Sequence, residues 1–135
     1  MGFSLPEKEL KELGLVPKKR KAITKKERVL IASKTNNKCG YCGVDLPDRW
    51  HVDHISPFAK QSSKCELDNF MAACPQCNIF KGTFSLEEFR RQLSFQVGNA
   101  REYSVNFRFA EKYKQIKITN KPIVFYFETL SEVEK

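Results

Sequence analysis

Histidine is the scarcest reactive side chain here: 135 residues contain two, along with one Trp and two Met. Any imidazole chemistry is therefore confined to His51 and His54. Long apolar runs are missing as well. The stretch Ile123 to Phe127, IVFYF, is far short of the roughly 20 residues a membrane-spanning helix needs. The opening MGFSLPEKEL turns polar and acidic at once and reads as no secretory signal. Pro6 stands where a myristoylation site after Gly2 wants Ser or Thr. Acids are in deficit, 16 against 24 Lys and Arg, for a formal charge of +8. There is no internal repeat and no long low-complexity stretch. These absences leave a soluble globular chain without a membrane partner, expected in a reducing cytoplasm, where five cysteines read as metal ligands before disulfides.

The charge is concentrated. Between Pro17 and Lys34, eight basic residues (Lys18, Lys19, Arg20, Lys21, Lys25, Lys26, Arg28 and Lys34) face Glu27 alone, a net +7. Such a stripe reads either as a solvated face or as the footprint of a polyanion partner, and its concentration favours the polyanion. Lysines and arginines that neutralise phosphates release condensed counterions, so the affinity is strong and blind to sequence. PKKRKA also fits a nuclear-import signal, a reading given less weight.

Local signals divide the chain. Ser4-Leu5-Pro6-Glu7 opens a short helix closed by Gly14. Thr24-Lys25-Lys26-Glu27 has capping-box form and starts a helix to about Lys34, with Val29, Leu30 and Ala32 available to face inward. Asn36-Asn37 ends it, before a tight knuckle at Cys39 to Gly43. Leu46 to Ile55 is expected to form a two-stranded ribbon broken at Pro47-Asp48, and 56–66 a polar loop. Pro75 to Phe80 reads as a helix ended by Gly82, and Ser85 caps another through about Leu93. In the last third, 115–119 and 123–129 alternate around Asn120-Lys121 and predict a hairpin. The expected units are an N-terminal helix and basic arm over 1–23, a central domain over 24–95 and a C-terminal extension over 96–135 packed on the core.

Chemistry gathers in the centre. Cys39-x2-Cys42 and Cys74-x2-Cys77, with 31 residues between them, are two knuckles suited to one tetrahedral Zn²⁺ with four thiolates at ~2.3 Å. Four thiolates leave no open position, so this zinc is structural. Cys65 is left over as a free thiol. Between the knuckles lie Asp53-His54 and Asn69, and Asn78 directly follows Cys77. Asp and Asn oxygens suit Mg²⁺ or Mn²⁺, and a neutral imidazole can take a proton from water, a combination able to hydrolyse a phosphodiester. By spacing alone, the Asp-His pair stays open between a structural and a catalytic role.

The combination HVDHISPF…LDNFMAACPQCNIFKG, preceded by a basic helix and Cys-x2-Cys, resembles the HNH endonucleases, the ββα-metal nucleases, in the branch framed by a four-cysteine zinc site. The resemblance runs from about Thr24 to Gly82. It implies an α+β fold: a ββα-metal core stapled by zinc, with flanking helices and a C-terminal hairpin. It further implies His54 as general base, Asp53 as metal ligand and Asn69 as the residue fixing the loop that carries the base. Asn78 takes the place of the last His as second metal ligand, an H-N-N variant. Lys81, of the Lys-Gly pair, is expected near a phosphate.

Neighbours on a regular strand point to opposite faces, so Asp53 and His54 can share one phosphate only where the strand bulges or ends. His51 with Asp53 is the alternative ligand pair; otherwise His51 and Arg49 are ribbon or phosphate-contact residues and Trp50 belongs to the core. The expected activity is metal-dependent cleavage of double-stranded DNA by a bacterial or phage-encoded enzyme of restriction, homing or mobile-element type. The alternative is a non-catalytic zinc module that binds nucleic acid. One site holds one scissile phosphate, so cutting both strands calls for a homodimer or a second encounter.

Overall fold

The computed structural model describes residues 22–56 and 66–133. The expected N-terminal helix, Lys18 to Lys21, Pro57, most of the polar loop and Cys65 lie outside the described residues.

Helix α1, Lys25–Ser33, begins as its capping box requires: the Thr24 hydroxyl accepts from the Glu27 amide at 3.1 Å, and the Glu27 carboxylate accepts from the Thr24 amide. Its inward side differs from expectation. Ile31 and Ala32 are buried, whereas Val29 and Leu30 are 68% and 54% exposed. At 3.6 residues per turn one face must win, and Ile31 is the residue that meets Phe70 and Ala72. Asn36 and Asn37, both with positive φ, turn the chain out of the helix.

Strand β1, His51–His54, pairs antiparallel with β2, Phe70–Ala73, in the register His51↔Ala73, Val52↔Ala72, Asp53↔Met71, His54↔Phe70. The two-stranded ribbon expected within Leu46 to Ile55 is therefore not formed. Pro47 and the turn behind it leave no length for a second strand there, and the partner comes from beyond the loop. A 3₁₀ turn, Glu66–Asn69, leads directly into β2. All four residues of β2 are buried because both faces are covered. Phe70 and Ala72 meet α1, Val52, Trp50 and Leu67. Met71 and Ala73 meet the first knuckle and the larger core of Tyr41, Phe89 and Phe125. Gly40 donates its amide to Ala72 O at 2.8 Å, and a Cβ at Gly40 would collide with Met71 Sδ. The knuckle thus lies flat on the sheet.

Helix α2, Pro75–Lys81, starts from Cys74 with Pro75 in its first turn and ends at Gly82, at φ +50. Helix α3, Leu86–Ser94, is capped by Ser85 and buries Phe89 completely. Both match their expected bounds to within a residue. Helices α4, Gln96–Tyr103, and α5, Val105–Lys112, follow and bury no residue.

The expected C-terminal hairpin is absent from the described residues. The chain instead forms helix α6, Tyr126–Val133. Ile123, Phe125 and Phe127 do alternate inward and Val124 is 59% exposed, but the extended segment has no partner strand among the described residues. The amides of Tyr126 and Phe127 donate to Tyr41 O and Gly40 O at 3.1 and 2.8 Å, which docks it on the knuckle. Glu128 accepts from the Phe125 amide and from Arg90, fixing the turn into α6. No helix among the described residues is long and apolar enough to cross a membrane.

Candidate active site and metal centre

Cys39 and Cys42 come from the knuckle before β1, Cys74 and Cys77 from the start of α2. Their sulfurs all lie within 4.8 Å of one another, and Cys42 Sγ is 3.8 Å from Cys74 Sγ. Thiolates at ~2.3 Å around one tetrahedral ion sit about 3.8 Å apart, so the four fit zinc in donor type and spacing. The electrostatics point the same way. The Cys77 thiol, donating to Cys39, holds Cys39 down to about 4, while Cys77 is pushed up by that same bond and by burial.

The second centre is built where β1 ends. Alternation along the strand sends Asp53 toward the larger core and His54 to the other face, where its ring meets Phe70 edge-on at 5.1 Å. No bulge intervenes: the strand runs regularly to His54 and stops. Beyond it the chain is held by Asn69. Ser56 N donates to Asn69 Oδ1 at 2.9 Å, Asn69 Nδ2 donates to Ser56 O at 3.1 Å, and Ile55 N donates to Asn69 O at 2.8 Å. A primary amide offers a donor and an acceptor on one planar group, which is what a peptide unit needs for a two-point clasp.

Asp53 is 6% exposed. Its Oδ2 accepts from the Tyr41 hydroxyl at 2.5 Å and lies 3.0 Å from Lys81 Nζ. Lys81 is fully buried and also donates to His54 O at 2.8 Å. Burial first, and the adjacent Asp53 carboxylate second, push the Tyr41 hydroxyl pKa up and keep it a donor. Lys81 therefore does not stand at a phosphate, as its place in the sequence suggested. Burying an ammonium demands a counter-charge, and Asp53 supplies it. A divalent ion held by Asp53 would share the carboxylate with that ammonium. Asn78, half-buried, lies three residues before Lys81 on α2, about one helical turn away. Carboxylate and amide oxygens suit Mg²⁺ or Mn²⁺ in kind.

The remaining candidates separate by surroundings. His51 and Arg49 are exposed, and His51 shares a strand face with Asp53 without sharing its burial. Lys25 and Lys26 are exposed on the first turn of α1. Arg28 stacks on Trp50 at 4.0 Å and donates to Trp50 O, and Lys34 reaches Leu67 O and Phe70 O. Both thus brace the second core. Tyr41 is the site residue that the sequence did not single out; its one signal is an aromatic ring inside a Cys-x2-Cys knuckle.

No curated protein and no solved structure matches the chain. Residues 39–84 match the family model described as HNH endonuclease. That span covers both knuckles, the β1–β2 pair, the Asn69 clasp and all of α2. The segment from Cys39 to Phe84 is thus similar to the HNH endonuclease family.

Proposed function

We propose that the protein is a metal-dependent endonuclease that hydrolyses phosphodiester bonds in double-stranded DNA. The Asn69 clasp carries this reading. A planar amide bonded twice to the Ser56 backbone fixes the chain two residues beyond His54, in a segment that matches a nuclease family. His54 acts as general base, taking a proton from water as its oxygen attacks phosphorus and the bond to the leaving sugar oxygen breaks. Lys81 pins the His54 carbonyl and Phe70 limits the swing of the ring. Asp53 and Asn78 would hold Mg²⁺ or Mn²⁺, which stabilises charge on the phosphoryl group and the leaving oxygen. Lys25 and Lys26, with Lys18, Lys19, Arg20 and Lys21, supply sequence-blind contacts to phosphates. Each protomer carries one such site and nicks one strand per encounter.

The commitment of Asp53 to Lys81 and Tyr41 favours a second reading, a zinc module that binds nucleic acid without cutting it. Incubation of the zinc-loaded protein with supercoiled plasmid, in Mg²⁺ or Mn²⁺ and in neither, separates the two. Metal-dependent conversion to the nicked form is expected. Retarded but intact plasmid under every condition would overturn the nuclease reading in favour of the binding module.

A further inference from the structure

Helices α4 and α5 bury nothing, yet they are not polar all round. On α5 and its cap, Val105, Arg108, Phe109, Lys112 and Tyr113 follow the spacing i, i+3, i+4, i+7, i+8 and so share one face. All five are exposed, Phe109 by 52% and Tyr113 by 73%. The opposite side, with Phe107, Ala110 and Glu111, is half-buried, and Glu111 is bonded to Arg101 of α4 at 2.6 and 2.9 Å. The exposed face is therefore the one α5 turns away from its neighbour. Two aromatic rings stand on it with centroids 6.3 Å apart. Arg108 is fixed by donating to the carbonyls of Arg101 and Glu102.

Charge identifies the partner. From Val105 to Lys121 there are five basic residues and one acid, Glu111, and that acid is already paired. Lys112, Lys114, Lys117 and Lys121 are all exposed. The core of a protein–protein patch is depleted of lysine, because a hydrated ammonium is costly to cover. A single nucleic-acid strand, by contrast, presents phosphates for the lysines and π-faces for the rings in alternation. We propose that the exposed face of α5 is a docking platform for single-stranded nucleic acid, with bases stacked on Phe109 and Tyr113 and phosphates met by Lys112 and Lys114. The proposal rests on the nucleic-acid reading of residues 39–84 only in preferring a strand over an anionic lipid surface. It does not require that the protein cut.

The test measures binding of a labelled oligo-dT over a range of salt, in a His54→Ala background so that cleavage plays no part. Phe109→Ala with Tyr113→Ala should weaken binding about 30-fold or more, at an unchanged salt slope, since stacking releases no counterions. Phe109→Leu with Tyr113→Leu keeps the face apolar and should lose affinity similarly. Lys112→Ala with Lys114→Ala should flatten the slope of log K against log salt by about 1.4. Zinc content and circular dichroism should match the parent in all three. Unchanged affinity in the alanine pair, or wild-type affinity in the leucine pair, would overturn the platform. So would capture by phosphatidylserine vesicles that the alanine pair abolishes while oligonucleotide binding stays intact.

Discussion

Asn69 and Lys81 both act on the end of β1, but through different physics, and substitutions distinguish them. Asn69→Ala removes two side-chain hydrogen bonds to the Ser56 backbone. Each contributes only about 0.5–1.5 kcal/mol, so the fold should survive. The chain just beyond His54 then loses its two-point hold at Ser56, and turnover should fall at least ~10-fold with little change in DNA affinity; a proportional loss of both would make Asn69 a contact residue. Lys81→Met should cost much more, about 3–5 kcal/mol, because it leaves Asp53 buried and uncompensated. Adding Asp53→Asn removes the orphaned charge and should restore much of that loss in urea unfolding. If the double variant is as unstable as the two single losses summed, the ion pair is not what couples them. This pairing was not legible in the sequence. A lysine ahead of a glycine in a chain of charge +8 reads as surface, and only the nonlocal approach of α2 to β1 reveals that its counter-charge is Asp53.

Among the elements, those specified by neighbours in sequence were readable, and those specified by distant partners were not. The α1 capping box, the Pro75 start and Gly82 stop of α2, and the Ser85 cap of α3 are satisfied within a turn of the chain. The mate of β1 and the C-terminal segment are chosen across long separations. FMAA has no polar alternation because both its faces are covered, so nothing in it announces a strand. Ile123 to Phe127 alternates as a strand does, but the backbone it bonds to is the knuckle. That docking has a measurable consequence. Phe125 is 1% exposed and stacks with Phe89 at 5.3 Å, so Phe125→Ala should destabilise the protein by about 3–5 kcal/mol. A loss below ~1 kcal/mol in denaturant unfolding would mean that the C-terminal segment is not part of the core.

Among the described residues, the first knuckle joins the sheet, the larger core and the C-terminal segment. Tyr41 sits between two of the four cysteines and is at once a donor to Asp53, a wall of the larger core and, through its carbonyl, an anchor for the C-terminal segment. Zinc at the cluster should therefore stabilise far more than its own loop. Cys39→Ser or Cys77→Ser is expected to release the metal and, with it, cooperative tertiary structure, because structural zinc contributes directly to folding free energy. Metal analysis alongside thermal unfolding reads both effects, and a zinc-free variant melting like the parent would refute the coupling. The role proposed for His54, held by Asn69 and Lys81, is to generate the nucleophile. Its most direct test is the single-turnover nicking rate of His54→Ala against the parent, at equal zinc content and saturating DNA. A fall of ~10²–10⁴-fold with DNA affinity unchanged is expected, whereas a rate equal to the parent's would rule out His54 as the general base.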